Sequence, residues 1–288
     1  MENLRQRLGQ GLVQAPGASD PLVARLIERQ GFEAVYMTGF GATATTLGMP
    51  DLGLLTQSEM VDLARRMVQA TNLPVIADAD TGYGGLNNLY RTVKDYAQSG
   101  VAAIHLEDQA LPKRCGQLSG VRLITASEHV ARIQAAMAAN DGSDMMIIAR
   151  TDALGVHGVG EAVERANRYA EAGADMVFVD GVKTIEDART IGAAVKGPKV
   201  LSIVDGLETS KLTRTEIAGM GFDLVFYALT TLFAATKAVS DVLGHLREAG
   251  ETSGYAERLT SYGDFQKIVD LDRFSSFEHR FDHADDHQ

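Results

Sequence analysis

An α/β chain folded as a (β/α)8 barrel of the TIM type, with extra C-terminal helices, is predicted by three observations. About eight short β-type runs alternate with amphipathic helical segments along most of the 288 residues. Several of those segments stop at glycine just before the next apolar run, the signal of a helix C-cap leading into a buried strand. The turn after the first run, QAPGASD, lacks the G-x-G-x-x-G that a doubly wound dinucleotide-binding sheet needs at that place.

The strands are read in order as LVQAPGA from Leu12, AVYMTG from Ala34, PVIADAD from Pro74 and AIHLEDQ from Ala103. MMIIART from Met145, DMVFVDG from Asp175, KVLSIV from Lys199 and LVFYAL from Leu224 complete the set. Such short apolar runs suit strands covered on both faces in a parallel sheet. Between them, PLVARLIERQGF and SEMVDLARRMVQATN have helical periodicity. In the second, Met60, Leu63, Ala64, Met67 and Val68 share one face, with Arg65, Arg66 and Gln69 outside it. YRTVKDYAQSG, EAVERANRYAEAG and the 216–221 segment all end at glycine. The glycines of GYGG at 82–85 follow an acidic strand end, where a pyrophosphate would meet carboxylates, so a dinucleotide role is rejected.

After the eighth strand, Thr231 to Gly250 reads as one long helix and GYAERLTSYGDFQKIVDLDRF as one or two short ones. The domain reading is a catalytic barrel with its post-barrel helix over 1–250, then a helical extension and polar tail over 251–288. In that tail His279, His283 and His287 have i, i+4 spacing. A solvated, frayed terminus is the preferred reading over a metal site.

Net charge is −11, which argues against nucleic acid or an anionic membrane as partner. A single cysteine excludes an intrachain disulfide and fits a reducing compartment. MENLRQRLGQG has no signal-peptide core and no apolar run reaches membrane-spanning length, so a cytoplasmic protein is expected.

Chemistry concentrates between Val75 and Gly116. One apolar run ends in Asp78 and Asp80, a second in Glu107 and Asp108, and a loop with Lys113, Arg114 and the lone Cys115 follows. Carboxylates leaving the ends of two strands point to a hard cation such as Mg²⁺, with Mn²⁺ as the alternative ion. The basic loop with its thiol points to acid–base chemistry on an anion. In a (β/α)8 barrel the residues just past the strand C-termini build the active site. Those positions are Tyr36, Thr38 and Gly39; Asp78 and Asp80; Glu107 and 113–116; Arg150 and Asp152; Asp180; and Ser202 and Asp205. The set suits a small anionic 2-hydroxy or 2-oxo acid chelated to Mg²⁺ and clamped by Arg150. For Arg150 the structural alternative is a strand-end ion pair with Asp152, and for Cys115 a small buried hydrophobe.

AVYMTGFGATATTLGMPDLGLLT, ADADTGYGG, HLEDQALPKRCG and IIARTDAL resemble the isocitrate lyase/phosphoenolpyruvate mutase superfamily, over about Leu12 to about Gly250. The K-R-C-G loop is most similar to the 2-methylisocitrate lyase and 2,3-dimethylmalate lyase branch, with carboxyvinyl-carboxyphosphonate phosphorylmutase sequences also close. The resemblance implies Asp80 as the direct Mg²⁺ ligand, with Asp78 and Glu107 holding the ion's waters. It implies a cradle for the substrate's 2-oxo or 2-hydroxy carboxylate at Tyr36, Thr38 and Gly39, with Asp51 at the same end of the pocket and Arg150 polarising the substrate. Cys115, with Lys113 and Arg114 on a mobile loop that includes Gly116, would protonate the fragment released as an aci-carboxylate, its pKa lowered towards neutral by the cations beside it. The family's helical C-terminal segment implies a homotetramer with helices packed on, or exchanged with, a neighbouring subunit.

The chain departs from the lyase pattern where that pattern meets the distal part of the substrate. Gln117 stands where the lyases usually carry His, Asp180 replaces a strand-six glutamate, and Ser202 and Asp205 replace Asn and Glu. The resulting expectation is a Mg²⁺-dependent C–C lyase for a small branched 2-hydroxy di- or tricarboxylate. The alternatives are an oxaloacetate decarboxylase or 2-oxo acid hydrolase, a phosphonate-processing enzyme, or an inactive metabolite-binding barrel.

Overall fold

The computed structural model of the protein describes residues 3–282. His283 and His287 of the tail lie outside the described residues, and His279 falls in the helix Leu271–Phe281. The chain forms two compact units, residues 1–232 and 233–288.

The first unit is a closed barrel in which eight strands pair in chain order. They are β1 (Val13–Ala18), β2 (Val35–Met37), β3 (Val75–Asp78), β4 (Ala103–Glu107), β5 (Met146–Thr151), β6 (Met176–Val179), β7 (Lys199–Ile203) and β8 (Leu224–Tyr227). Every pairing is parallel, and β8 closes onto β1 with Val13 opposite Leu224. All eight predicted runs are strands. Their intervening helices end as the glycines predict: Gly100, Gly173 and Gly221 have positive φ, where the missing Cβ removes the steric penalty.

The two-residue period of a strand divides each run between two apolar cores. Val35, Met37, Val75, Ala77, Ile104, Leu106, Ile147, Ala149, Val177, Val179 and Leu201 face the surrounding helices. Ala34, Tyr36, Ile76, Ala103, Met146, Ile148, Met176, Phe178, Val200, Leu224 and Phe226 fill the barrel interior. This alternation positions the site. Continuing the inward series to the strand ends brings Asp78 after Ile76, Glu107 after Ala103 and His105, Arg150 after Ile148, Asp180 after Phe178 and Ser202 after Val200.

The helix Gln57–Ala70 carries a capping box between Thr56 and Glu59. It buries Met60, Val61, Ala64 and Met67, leaving Arg65 and Arg66 exposed. Leu63 and Val68, expected on the buried face, are only half-buried. The face is thus rotated slightly towards Val61. The long helix after the barrel runs Thr230–Ala249, within one residue of its expected bounds. Beyond it lie a 3₁₀ turn, Ser253–Arg258, and the helices Tyr262–Ile268 and Leu271–Phe281. Among the described residues no helix is long and apolar enough to cross a membrane.

Candidate active site

The acidic end of β3 is the most tightly determined part of the site. Asp78, Asp80 and Glu107 are buried. Asp78 Oδ1 accepts the Asp80 N–H at 2.9 Å, and Asp80 sits at φ 47°, a left-handed conformation that costs a non-glycine residue about 1–3 kcal/mol. Gly39 opens the helix Gly39–Leu47 directly beside Asp78, where a Cβ would lie 2.5 Å from Asp78 Oδ2. No side chain fits there. Thr38 caps the same helix, its Oγ1 accepting the Gly41 N–H. Below, Tyr36 Oη lies 3.0 Å from His105 Nε2. Burial pushes the imidazole down to about 4, so His105 is neutral at ordinary pH.

The three carboxylates differ: against its burial, His105, Lys113 and Arg150 hold the Asp78 carboxyl below the usual aspartate range, whereas the other two are raised. Burial raises Asp80 to about 6, against the pull of Lys113. It raises Glu107 well above the usual range, against Arg150 and Lys113. Glu107 Oε1 is buried without a hydrogen-bond partner. Lys113 Nζ lies 2.6 Å from both Asp80 Oδ1 and Asp51 Oδ1. Burial opposes the lysine's charge, but Asp80, Glu107, Asp78 and Asp51 outweigh it and hold the ammonium well above its ordinary value. Among the described residues no three His, Cys, Asp or Glu side chains converge closely enough to be direct ligands of one ion. Desolvated carboxylates without a full ligand cage fit an ion that takes one or two of them and keeps its waters, the habit of Mg²⁺.

Arg150 faces this cluster from β5. Its guanidinium makes a bidentate pair with Asp152 (3.1 and 2.8 Å), reaches Asp180 Oδ2 at 2.6 Å and lies 3.5 Å from Glu107. It also stacks over Phe178, 5.4 Å from the ring centre. The ion pair with Asp152 is therefore formed, and Arg150 lines the cavity as well. Asp108 fixes this arrangement from outside the pocket. It accepts the Asp152 N–H at 3.0 Å and hydrogen bonds from Thr151, Arg165 and Tyr169.

The loop after β4 is seated on the barrel mouth. The Cys115 N–H donates to the Asp51 carbonyl at 3.2 Å, and the Gln109 amide clasps the Arg114 backbone through both its oxygen and its nitrogen. At Gly116 a Cβ would stand 2.3 Å from Asp152 Oδ1 and 2.4 Å from Asp180 Oδ2, so the loop docks only with glycine there. Beneath it is a cavity of about 50 Å³ lined by Tyr36, Thr38, Asp51, Asp78, Cys115, Gly116, Gln117, Arg150, Asp180 and Ser202. Phe40, Phe178, Val204, Ala228 and Leu229 complete the wall. Of these, Phe178 is an inward position of β6 and Ala228 directly follows β8; neither is singled out in the sequence. Lys113 and Asp80 line an adjoining cavity of about 340 Å³, with Thr81 and Tyr83.

Three sequence expectations are corrected. The Cys115 thiol is pushed up to about 11 by burial, with Asp180 and Asp51 adding to the rise and Arg150 opposing it. It is not lowered, because Lys113 is taken by Asp51 and Asp80 and the Arg114 side chain is exposed. Arg114 does not line the cavity; its backbone, held by Gln109, is what shapes the loop. Asp205 is exposed and accepts the Thr230 hydroxyl at 3.0 Å, so it ties β7's loop to the start of the last long helix and leaves the pocket to Ser202.

The phosphoenolpyruvate phosphomutase family profile matches residues 4–247. The chain is 40% identical to 2,3-dimethylmalate lyase of Eubacterium barkeri, covering 94% of this chain and 93% of that one. It is also 40% identical to 2-methylisocitrate lyase of Aeropyrum pernix, over 90% of this chain and 83% of the relative. Among solved structures it is similar to oxaloacetate acetylhydrolase bound to 3,3-difluorooxalacetate, with a TM-score of 0.90, 36% identity and coverage of 96% and 95%. It is likewise similar to phosphonopyruvate hydrolase in complex with oxalate and Mg²⁺, with a TM-score of 0.87, 31% identity and coverage of 96% and 97%. A profile match over most of the chain, together with relatives at this identity and coverage, places the protein in the phosphoenolpyruvate mutase/isocitrate lyase superfamily.

Proposed function

We propose that the protein is a Mg²⁺-dependent carbon–carbon lyase. It would cleave a small branched 2-hydroxy di- or tricarboxylate, similar to 2-methylisocitrate or 2,3-dimethylmalate, into a 2-oxo acid and a carboxylate. The observation that carries this reading is the Cys115 side chain lining one cavity with Asp78, Arg150 and Thr38, while the buried Asp80 and Glu107 follow the C-terminal ends of β3 and β4. The ion would be held by Asp80, with Asp78 and Glu107 on its waters, and would lower the pKa of the substrate's hydroxyl. Arg150, Thr38 and the backbone at Gly39 would orient the carboxylate end. Breaking the C2–C3 bond leaves an electron pair on the departing fragment, and Cys115 Sγ–H would deliver the proton that turns the aci-carboxylate into product. The docked loop excludes water from that step.

A second reading, cleavage or decarboxylation of an oxaloacetate-like 2-oxo acid, is favoured by the small cavity and by the similarity to oxaloacetate acetylhydrolase. The two separate in a coupled assay for 2-oxo acid release with Mg²⁺ on 2-methylisocitrate, 2,3-dimethylmalate, isocitrate, oxaloacetate and phosphonopyruvate. Release from a branched 2-hydroxy acid is the expected outcome; turnover of oxaloacetate or phosphonopyruvate alone would replace the lyase reading. No turnover and no metal binding would leave an inactive metabolite-binding barrel.

We also propose a homotetramer built through the post-barrel helices. Supporting it, Leu243, Tyr262, Phe265, Phe274, Phe277 and Phe281 are all exposed, more large apolar surface than a monomer usually leaves in water. Light scattering at micromolar concentration should give the four-chain mass, and a monomer there would reject this assembly.

A further inference from the structure

The turn that carries Asp80 is unusually strained and unusually well held. Asp80 and Tyr83 have φ of 47° and 59°, and Gly82 and Gly84 are also left-handed. Such a run has no helix ladder to absorb its carbonyls, so most of them need donors from elsewhere. The Asp78 carbonyl accepts the Tyr96 hydroxyl at 2.9 Å, the Asp80 carbonyl the Glu107 N–H at 2.9 Å, and the Gly82 carbonyl the Thr92 hydroxyl at 3.2 Å. The Ala79 carbonyl accepts the Gly82 N–H within the turn at 2.9 Å, and the carbonyls of Thr81 and Gly84 converge on one atom, Nη2 of Arg132, with the Gly84 contact at 2.9 Å.

Arg132 comes from the middle of the helix Ala126–Ala139, which follows β4. It is half-buried, and no carboxylate pairs with it among the described residues, although Glu128 lies one turn away on the same helix. A cation taken partly out of water without a counter-ion is costly. Here its charge is spent on two backbone oxygens of the acidic loop, and charge-assisted bonds of this kind are about twice as strong as neutral ones.

We infer that Arg132 is a positioning residue for Asp80: by bridging the Thr81 and Gly84 carbonyls it keeps the turn left-handed and the Asp80 carboxylate aimed where a divalent ion is held. Arg132 touches neither ion nor substrate. The inference rests on the metal reading given above, and its test is chosen to separate the two.

Mn²⁺ binding to the full-length protein, read by electron paramagnetic resonance without substrate, supplies that test. Arg132→Met should weaken Mn²⁺ by about 10–100-fold, the usual effect of losing a group that orients a metal ligand, while far-UV circular dichroism stays unchanged. Arg132→Lys, which offers one point charge in place of a planar bridge, should fall between the two, and it carries the test if the methionine variant does not fold. Added ethylguanidinium should recover part of the lost affinity in Arg132→Met. Affinity within threefold of wild type in both variants would overturn the inference and leave the metal reading standing. A wild type that binds no Mn²⁺ would overturn both.

Discussion

Asp80→Ala is expected to remove Mg²⁺-dependent turnover, lowering kcat by on the order of 10³-fold or more, because an ion of this kind supplies several kcal/mol of charge stabilisation. The effect should exceed that of any other single carboxylate, since Asp80 is the one that would touch the ion directly. The pH dependence gives a sharper form of the result. Asp80 takes up its proton near 6 in the folded protein, above the value of about 4 for an unfolded aspartate. The folded state therefore binds that proton more tightly. The stability this confers is complete below about pH 4 and is lost as pH rises through about 6. A bound cation would restore the loss by occupying the same oxygens. Thermal melts should accordingly show a Mg²⁺-induced rise in Tm at pH 7.5 that fades as pH falls below 6. In Asp80→Ala the rise should be missing at every pH. An equal rise in mutant and wild type would move the ion away from Asp80.

The second large effect belongs to Cys115→Ser. Loss of a positioned proton donor costs about 10²–10⁴-fold in rate, and the serine hydroxyl, nearly isosteric, is too weak an acid to substitute. Binding of a 2-oxo acid such as pyruvate should stay within about threefold of wild type, because Arg150 and Thr38 are untouched. The thiol's high pKa sets the direction of its pH behaviour. With ionisation near 11, Cys115 remains an acid across the neutral range, and the wild-type rate should show no loss from its deprotonation between pH 6 and 9. Iodoacetamide should modify it slowly at pH 7.5 and about tenfold faster for each pH unit above that, since the thiolate is the nucleophile. A rate limb near pH 7–8 that vanishes in Cys115→Ser would restore the lowered pKa read from sequence.

That reversal at Cys115 marks where sequence reading stops. Lys113 and Arg114 are its neighbours along the chain, yet Lys113 reaches Asp51 and Asp80 and Arg114 lies exposed. Adjacency in a loop fixes neither distance nor solvent, and these two set a pKa. Asp205 fails in the same way: it sits at the right strand end, but its side chain goes to Thr230. Arg132 carried no signal at all, being one arginine within an ordinary amphipathic helix.

By contrast the eight strands, their alternation with helices, and the place of Asp78, Glu107, Arg150, Asp180 and Ser202 at strand ends were legible in the sequence itself. Local pattern encodes them, because short apolar runs buried on both faces mark the strands and the polar residues that end them mark the barrel mouth. The strand-end carboxylates suggested the hard cation, and the family motifs supplied its ligand roles and the reaction class as expectations. Only the tertiary structure decided which charges meet: Lys113 against Asp80, Arg150 among three carboxylates, and a neutral thiol at the cavity. Coulomb energy and desolvation depend on through-space distance and burial, and no periodicity along the chain records either.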